Sequence, residues 1–272
     1  MKEIIVLFDE FGTPTFNQKG ESDIFAGIAV LYNLEEESDI FSNLKDVLSL
    51  ESSKPHKSRT INNIKAVKIA KIASSNLNQI VFNYIELNNK LYIDTIENYE
   101  KVISFGRKIY RGVKPRKVSQ IMHSRLLDNC IHKCIMNHLD GKSNTAYQYK
   151  IYLDNWAIPN CDKHIELEQR VESLEKYTQH LLDGSNKNVK IIIPAINLLV
   201  KDNNRKRLID GMMSIISRAF FNTNHPRFTK LPLNKLQSIL GKKIKISNIT
   251  NDEIEFINEL IVEFTTSNPE NY

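Results

Sequence analysis

Cysteine is scarce in this chain, and long apolar runs are absent. The 272 residues include three cysteines, Cys130, Cys134 and Cys161. Such a small, odd number argues against a disulfide framework and is typical of a reducing compartment. No stretch reaches the roughly 20 apolar residues of a membrane span, and the first residues, MKEIIVLFDE, lack the pattern of a secretory signal peptide. We therefore expect a soluble cytoplasmic protein with no membrane partner.

Several nucleotide-binding and hydrolase motifs are missing as well. The chain contains no GxGxxG, GxxxxGK[ST] or GxSxG sequence, so dinucleotide-binding, P-loop and α/β-hydrolase functions have no support. What is present is an ordinary globular composition, with 41% hydrophobic and 25% charged residues. The formal net charge of +5 permits a nucleic-acid partner but does not require one.

The apolar patterns predict an α/β domain. Short apolar runs predict five strands, at 4–8, 23–33, 79–87, 149–155 and from 189. Helical periodicity predicts helices at 34–50, 61–76, 116–139, 164–184 and 205–221. The expected fold is a mixed five-stranded sheet flanked by helices over residues 1–221, with a helical insertion near 88–145. A C-terminal extension, 222–272, is expected to pack on the same domain and to hold a strand near 243–247.

Three acidic residues have a distinctive context. Asp9 ends the first predicted strand, Asp154 ends the fourth, and Asp210 lies in a helix that is otherwise apolar on one face. Functional groups collect at the carboxyl ends of neighbouring parallel strands. Carboxylates that converge in this way are suitable ligands for Mg²⁺ or Mn²⁺. Two such ions, about 3.5–4 Å apart, can activate water for phosphodiester cleavage.

Each of these acids also has an ordinary explanation. Asp favours turns, so an Asp at a strand end is common, and Asp210 has basic neighbours in its own helix. Glu10 points away from Asp9 in a regular strand and reaches the same site only if the strand bends at its end. The joint placement of the three aspartates is what favours a functional site.

The motif LFDEFGT, followed by a second strand, resembles the start of the domain-of-unknown-function family 3800, whose members have an RNase H-like fold. IYLDN resembles the later strand of that family that ends in Asp, and LIDGMMSIISRAF is similar to its last helix. Phe11 stands where the family usually has Ser, and Ile209 where it has Ala. The Leu-Gln pair that often introduces the last helix is missing.

The resemblance implies a catalytic centre as well as a fold. Asp9, Asp154 and Asp210 correspond to the acidic metal ligands, and Glu10 to a second catalytic acid. The implied activity is Mg²⁺- or Mn²⁺-dependent hydrolysis of nucleic-acid phosphodiester bonds, in prokaryotic defence or in a mobile element. A non-catalytic subunit that binds nucleic acid or a protein partner on the same fold is the alternative.

Two basic segments could bind a phosphate backbone, DNA or RNA alike, because neutralised phosphates release counterions. The residues expected to bind are Lys54, His56, Lys57 and Arg59 in the first segment, and Arg111, Lys114 and Arg116 in the second. A solvated helix face, or contact with a protein partner or a second copy of the chain, explains the same charges equally well.

One predicted helix, HSRLLDNCIHKCIMNHL, supports two further hypotheses. Arg125 and His132 resemble the Arg-x(4–6)-His motif of the metal-independent HEPN-type ribonucleases. Cys130, Cys134 and His138 fall on one helix face and could suggest zinc. A zinc site normally needs two spaced ligand pairs, and the second pair is absent. Small buried cysteines in a core are therefore the preferred interpretation.

Overall fold

The protein is described here from a computed structural model. The structure describes residues 1–12, 24–48, 61–86, 118–153, 188–199, 204–221 and 231–249, together with positions 171, 172, 174–176, 178–180, 182 and 183. Side chains are described for the same residues except 118–125 and 221.

Strands occur where the apolar runs predict them. Five of them lie at the five predicted runs: β1 (Lys2–Phe11), β2 (Ile24–Asn33), β3 (Gln79–Glu86), β4 (Thr145–Leu153) and β5 (Val189–Ile192). Two short strands complete it, β6 (Ile196–Leu198) and β7 (Ile244–Asn248). Every run is rich in Ile, Val, Tyr or Phe, which pack well on a pleated surface.

The seven strands form one mixed sheet in the order β5-β4-β1-β2-β3-β7, and β6 also pairs with β4. β2 runs antiparallel to both β1 and β3, whereas the β1–β4, β4–β5, β4–β6 and β3–β7 pairs are parallel. The parallel β1–β4 pair brings together segments that are more than a hundred residues apart in the chain. It also places the carboxyl ends of these two strands side by side.

Helices cover both faces of this sheet. Their bounds are α1 (Glu37–Leu48), α2 (Asn63–Asn76), α3 (Val118–Leu139), α4 (Asn204–Phe221) and α5 (Leu233–Leu240), and the described positions from 171 to 183 are helical as well. Short 3₁₀ turns occupy Leu34–Glu36 and Gly241–Lys243. Asn62 caps α2, because its side-chain oxygen accepts a hydrogen bond from the Lys65 amide at 2.9 Å.

The alternation of side chains along each strand builds two cores. Ile4, Val6 and Phe8 of β1 face α3 and the helical residues of 171–183. Ile5 and Leu7 face the layer formed by α1, α2, α4 and α5. A strand that is buried on both faces reads as a continuous apolar run, which is why the sequence IIVLF shows no alternation.

The mixed α/β architecture confirms the predicted fold class, with three differences. The sheet has seven strands instead of five, because β7 from the predicted extension pairs with β3. The apolar run from 189 divides into β5 and β6 around Pro194, which has no amide hydrogen for a ladder bond. α3, part of the predicted insertion, packs directly on β2 and β3. The sequence also predicts a last helix from about 250 to 264, opened by Thr250 with Glu253 in capping-box spacing, and that segment lies outside the described residues.

Candidate active site

Asp9 follows five fully buried residues at the end of β1. It pairs with Ile28 of β2 and shares its sheet face with Leu7 and Phe11, which pack in the α4 layer. One of its carboxylate oxygens, Oδ1, accepts a hydrogen bond from the backbone amide of Glu10 at 2.8 Å. The side chain is half-buried. The end of β1 therefore directs a carboxylate towards the helices that cover this face.

Glu10 lies on the other face of the sheet. The pairing of β1 with β2 stays regular through Phe11 and Ala26, without a bulge. β1 ends at Phe11, and the next residue, Gly12, has a φ of 85°, a backbone conformation that glycine adopts readily. Adjacent residues of a regular strand point in opposite directions. The structure therefore does not bring the Glu10 side chain to the face that Asp9 shares with α4.

The strand that precedes Asp154 is the parallel neighbour of β1. Phe8 and Leu153 are partners in the β1–β4 register, and both side chains belong to the α3 core. In the sequence, Asp9 directly follows Phe8 and Asp154 directly follows Leu153. The condition for the two carboxylates to share a site, that their strands be neighbours, is met by β1 and β4. Asp154 itself lies outside the described residues.

Asp210 lies in the middle of α4, on the face of the sheet to which Asp9 points. Near the start of this helix the guanidinium of Arg205 stacks on Tyr152 of β4, and near its end Phe220 contacts Tyr84 of β3. The helix therefore crosses above β1 and β2, and it contacts both strands. Asp210 is part of the segment that makes this crossing.

The burial of α4 is interrupted at Asp210. Of the residues from Arg207 to Ser217, all of which the structure describes, only Asp210 is not buried. An ionised carboxylate is expensive to bury without a partner or a cation. Asp210 is therefore the point along this described stretch at which solvent reaches the helix that covers the Asp9 face of the sheet.

The donor chemistry of the two described aspartates fits a hard divalent cation. Carboxylate oxygens are the ligands that Mg²⁺ and Mn²⁺ prefer. Within the described ranges, no group of three or more His, Cys, Asp and Glu side chains is placed to hold a metal ion. Asp9 and Asp210 are the two described members of the predicted set. The third member, Asp154, is beyond the residues searched.

The basic residues expected to bind nucleic acid lie outside the described part of the chain. These residues are Lys54, His56, Lys57, Arg59, Arg111, Lys114 and Arg116. Their contribution to a site stays a prediction from the sequence.

Arg125 and His132 both belong to the single helix α3. Two turns separate them, so the helix places them on one side. His132 is half-buried, and burial, followed by the charge of Lys133, lowers its pKa. It is therefore neutral at physiological pH, the form that can accept a proton. The Arg125 side chain is not among those described.

The buried-cysteine interpretation of α3 is confirmed. Cys130 and Cys134 are free thiols and fully buried in the α3 core. Burial, and secondarily Cys130, raises the pKa of Cys134. His138 uses both ring nitrogens: Nδ1 lies 2.9 Å from the Tyr149 hydroxyl, and Nε2 accepts a hydrogen bond from Lys142. These residues have protein partners where a zinc site would need free ligands.

Sequence reasoning missed the partner that holds the start of α4. Arg205 forms an ion pair with Glu37 across 168 positions, and it also stacks on Tyr152. The basic run RKR and the acidic run EEE offer many equivalent pairings. No spacing rule selects one of them, because helix pairs are predictable from sequence only three or four residues apart.

The fold and the carboxylates together define a mixed α/β protein with a candidate acidic site beside its central strands. Comparison of the chain with protein-family models and with curated proteins found no match. None of the described helices is both long enough and apolar enough to cross a membrane.

Proposed function

We propose that this chain is a metal-dependent nuclease of RNase H-like fold that hydrolyses phosphodiester bonds of nucleic acid. The observation that carries the proposal is the register of β1 and β4. Phe8 and Leu153 are parallel partners, and an aspartate follows each of them directly. α4, which contains Asp210, covers the face to which Asp9 points.

The sheet supports the RNase H-like assignment. Its five main strands have the order β3-β2-β1-β4-β5, and only β2 is antiparallel to the others in this described set. A mixed sheet with five main strands and helices on both faces agrees with what the resemblance to the RNase H-like family implies. β6 and β7 are additions at the carboxyl end of β4 and beside β3.

Asp9, Asp154 and Asp210 would hold one or two divalent cations. Bound there, the metal would supply an activated water and stabilise the leaving oxygen. The chain positions the ligands. The hydrogen bond from the Glu10 amide orients Asp9 Oδ1, and the two rigid elements β1 and α4 fix the carboxylates that they carry. The basic segments at 54–59 and 111–116 would bind the phosphate backbone.

A Mn²⁺-supported cleavage assay on single-stranded and double-stranded DNA, RNA and hybrid substrates tests the proposal. Asp9→Asn and Asp210→Asn should each abolish cleavage while the protein stays folded. Glu10→Gln removes one carboxylate from the same strand end, but on the opposite face, and should retain most activity. Cleavage by Asp9→Asn at the wild-type rate would refute the assignment.

The same assay separates the alternative functions. Cleavage that resists EDTA and Asp9→Asn but is lost in His132→Ala would identify α3 as a metal-independent site. Tight nucleic-acid binding with no cleavage under any divalent metal would identify a non-catalytic binding subunit.

A further inference from the structure

Arg205 makes two kinds of contact near the start of α4, and its carboxylate partner makes a third. Its Nε donates to Glu37 Oε1 at 2.7 Å and its Nη2 to Glu37 Oε2 at 2.9 Å, which is a bidentate ion pair. The Tyr32 hydroxyl donates to the same Glu37 Oε1 at 2.7 Å. The guanidinium carbon lies 4.2 Å from the centre of the Tyr152 ring. We call these four residues the Arg205 clamp.

The clamp is more than a surface ion pair. The Arg205 and Glu37 side chains are only 17% and 20% exposed, so solvent screens their attraction less than at an open surface. Burial alone would lower the pKa of Arg205, but its hydrogen bonds and the charge of Glu37 outweigh burial and raise that pKa. Burial and Glu37 raise the pKa of Tyr32. The donors therefore keep their protons throughout the physiological pH range.

The clamp connects the elements that lead to the candidate site. Arg205 precedes Asp210 by five residues of helix, about 7.5 Å along the axis. Tyr152 is the second-last residue of β4, two positions before Asp154 in the sequence. Glu37 and Tyr32 anchor the same guanidinium to α1 and β2. A change in the position of the Arg205 guanidinium would therefore move α4 relative to β4, and Asp210 would move with α4.

We infer that the Arg205 clamp is a positioning device that sets Asp210 of α4 against the end of β4. The inference rests on the proposed function, since it concerns how the proposed ligands are held. Arg205 would act through α4, without touching substrate or metal. Such geometry matters because a misplacement of about 1 Å can cost a large factor in rate.

Three variants test the geometry of the clamp. Arg205→Lys keeps the charge but loses both the fork and the flat stacking surface. Tyr152→Leu removes the aromatic ring on which Arg205 stacks, whereas Tyr152→Phe keeps the ring and removes only the hydroxyl. Glu3→Gln is the control, because the Glu3–Lys150 ion pair, at 2.8 Å, also ties β4 to a neighbouring element, β1, but at a distance from the carboxyl ends of the two strands.

The primary readout is Mn²⁺ affinity by titration calorimetry, measured well below the unfolding temperature. Supporting partners of metal ligands are typically worth 10–100-fold in metal affinity. We expect Mn²⁺ binding about 10-fold weaker in Arg205→Lys and Tyr152→Leu, and unchanged in Tyr152→Phe and Glu3→Gln. Amide hydrogen exchange in α4 of the metal-free protein should rise in the two weakened variants and stay at the wild-type level in the other two.

The outcomes separate this inference from the proposed function. Wild-type protein that binds Mn²⁺ and cleaves, with Arg205→Lys and Tyr152→Leu equally competent, overturns the positioning role alone. A lowered unfolding temperature with unchanged Mn²⁺ affinity does the same, because it shows a purely structural contact. Wild-type protein that neither binds Mn²⁺ nor cleaves overturns the proposed function and, with it, the reason for the clamp.

Discussion

Gly27 in β2 should not tolerate a methyl group, although glycine in a strand is normally a weakness. A Cβ at this position would lie 2.9 Å from Leu126 Cγ and 2.9 Å from Phe8 Cε2. Both neighbours are fully buried, and the Leu126 contact is at the branch atom rather than at a flexible tip. Overpacking of a core typically costs about 1–3 kcal/mol. Alanine loses less backbone entropy on folding than glycine does, which offsets about 0.5–1 kcal/mol of that cost. We therefore expect Gly27→Ala to reduce the free energy of unfolding by about 0.5–2 kcal/mol.

Urea unfolding followed by circular dichroism measures this change, and a double-mutant cycle identifies its cause. Leu126→Ala alone should cost about 2–5 kcal/mol because it leaves a cavity. In the Gly27→Ala background the new methyl fills part of that cavity. The double variant should therefore lose less unfolding free energy than the sum of the two single losses, by at least about 0.5 kcal/mol. A Gly27→Ala protein that is more stable than wild type would refute the close approach of α3 to β2.

Three further predictions concern stability. Burial, with the charges of Lys142 and Lys2, lowers the pKa of His138 from 6.5 to about 3. The unfolded chain therefore binds a proton below pH 6.5 that the folded protein does not. Unfolding free energy should fall by about 2 kcal/mol between pH 8 and pH 5, and His138→Gln should flatten that fall in urea titrations; equal slopes would contradict the assignment. Asn62→Ala should cost about 1 kcal/mol by removing the α2 cap, and Asn62→Gly only a few tenths; thermal unfolding of the pair checks this, and equal losses would exclude capping. Asn83 is fully buried, donates a hydrogen bond to Asn129 at 2.7 Å and accepts one from Ser247 at 2.6 Å. Asn83→Ala should therefore lower the free energy of unfolding in urea by about 1–3 kcal/mol. An unchanged free energy would contradict that network.

The Asn83 network shows why parts of the fold lie beyond sequence reasoning. Its partners come from α3 and β7, and nothing in the pattern of either segment singles out Asn129 or Ser247. Gly27 lies inside an apolar run, and a glycine inside a strand indicates either a bulge or a close packing contact. Only the tertiary structure shows that the pairing stays regular there and that Leu126 and Phe8 occupy the space.

The candidate site also has features that the sequence shows and features that only the tertiary structure shows. A buried run that ends in Asp9 and a helix interrupted by Asp210 are local features, so both residues could be selected from the sequence. Whether Asp9 and Asp210 can share a site depends on which helix covers the Asp9 face of the sheet, and no local pattern shows that. Glu10 could not be assigned in advance, because its direction follows from the pairing of β1 with β2 through Phe11.

The sequence by itself determined the order and type of most of the described elements, since apolar periodicity and turn residues act over a few neighbouring positions. It also determined that β1 is buried on both faces and that a carboxylate follows it. The tertiary structure decided that β4 lies parallel to β1, that α4 crosses the face of Asp9, and that Arg205 pairs with Glu37. These contacts join residues far apart in the chain, and their energies depend on a three-dimensional arrangement that no local spacing encodes.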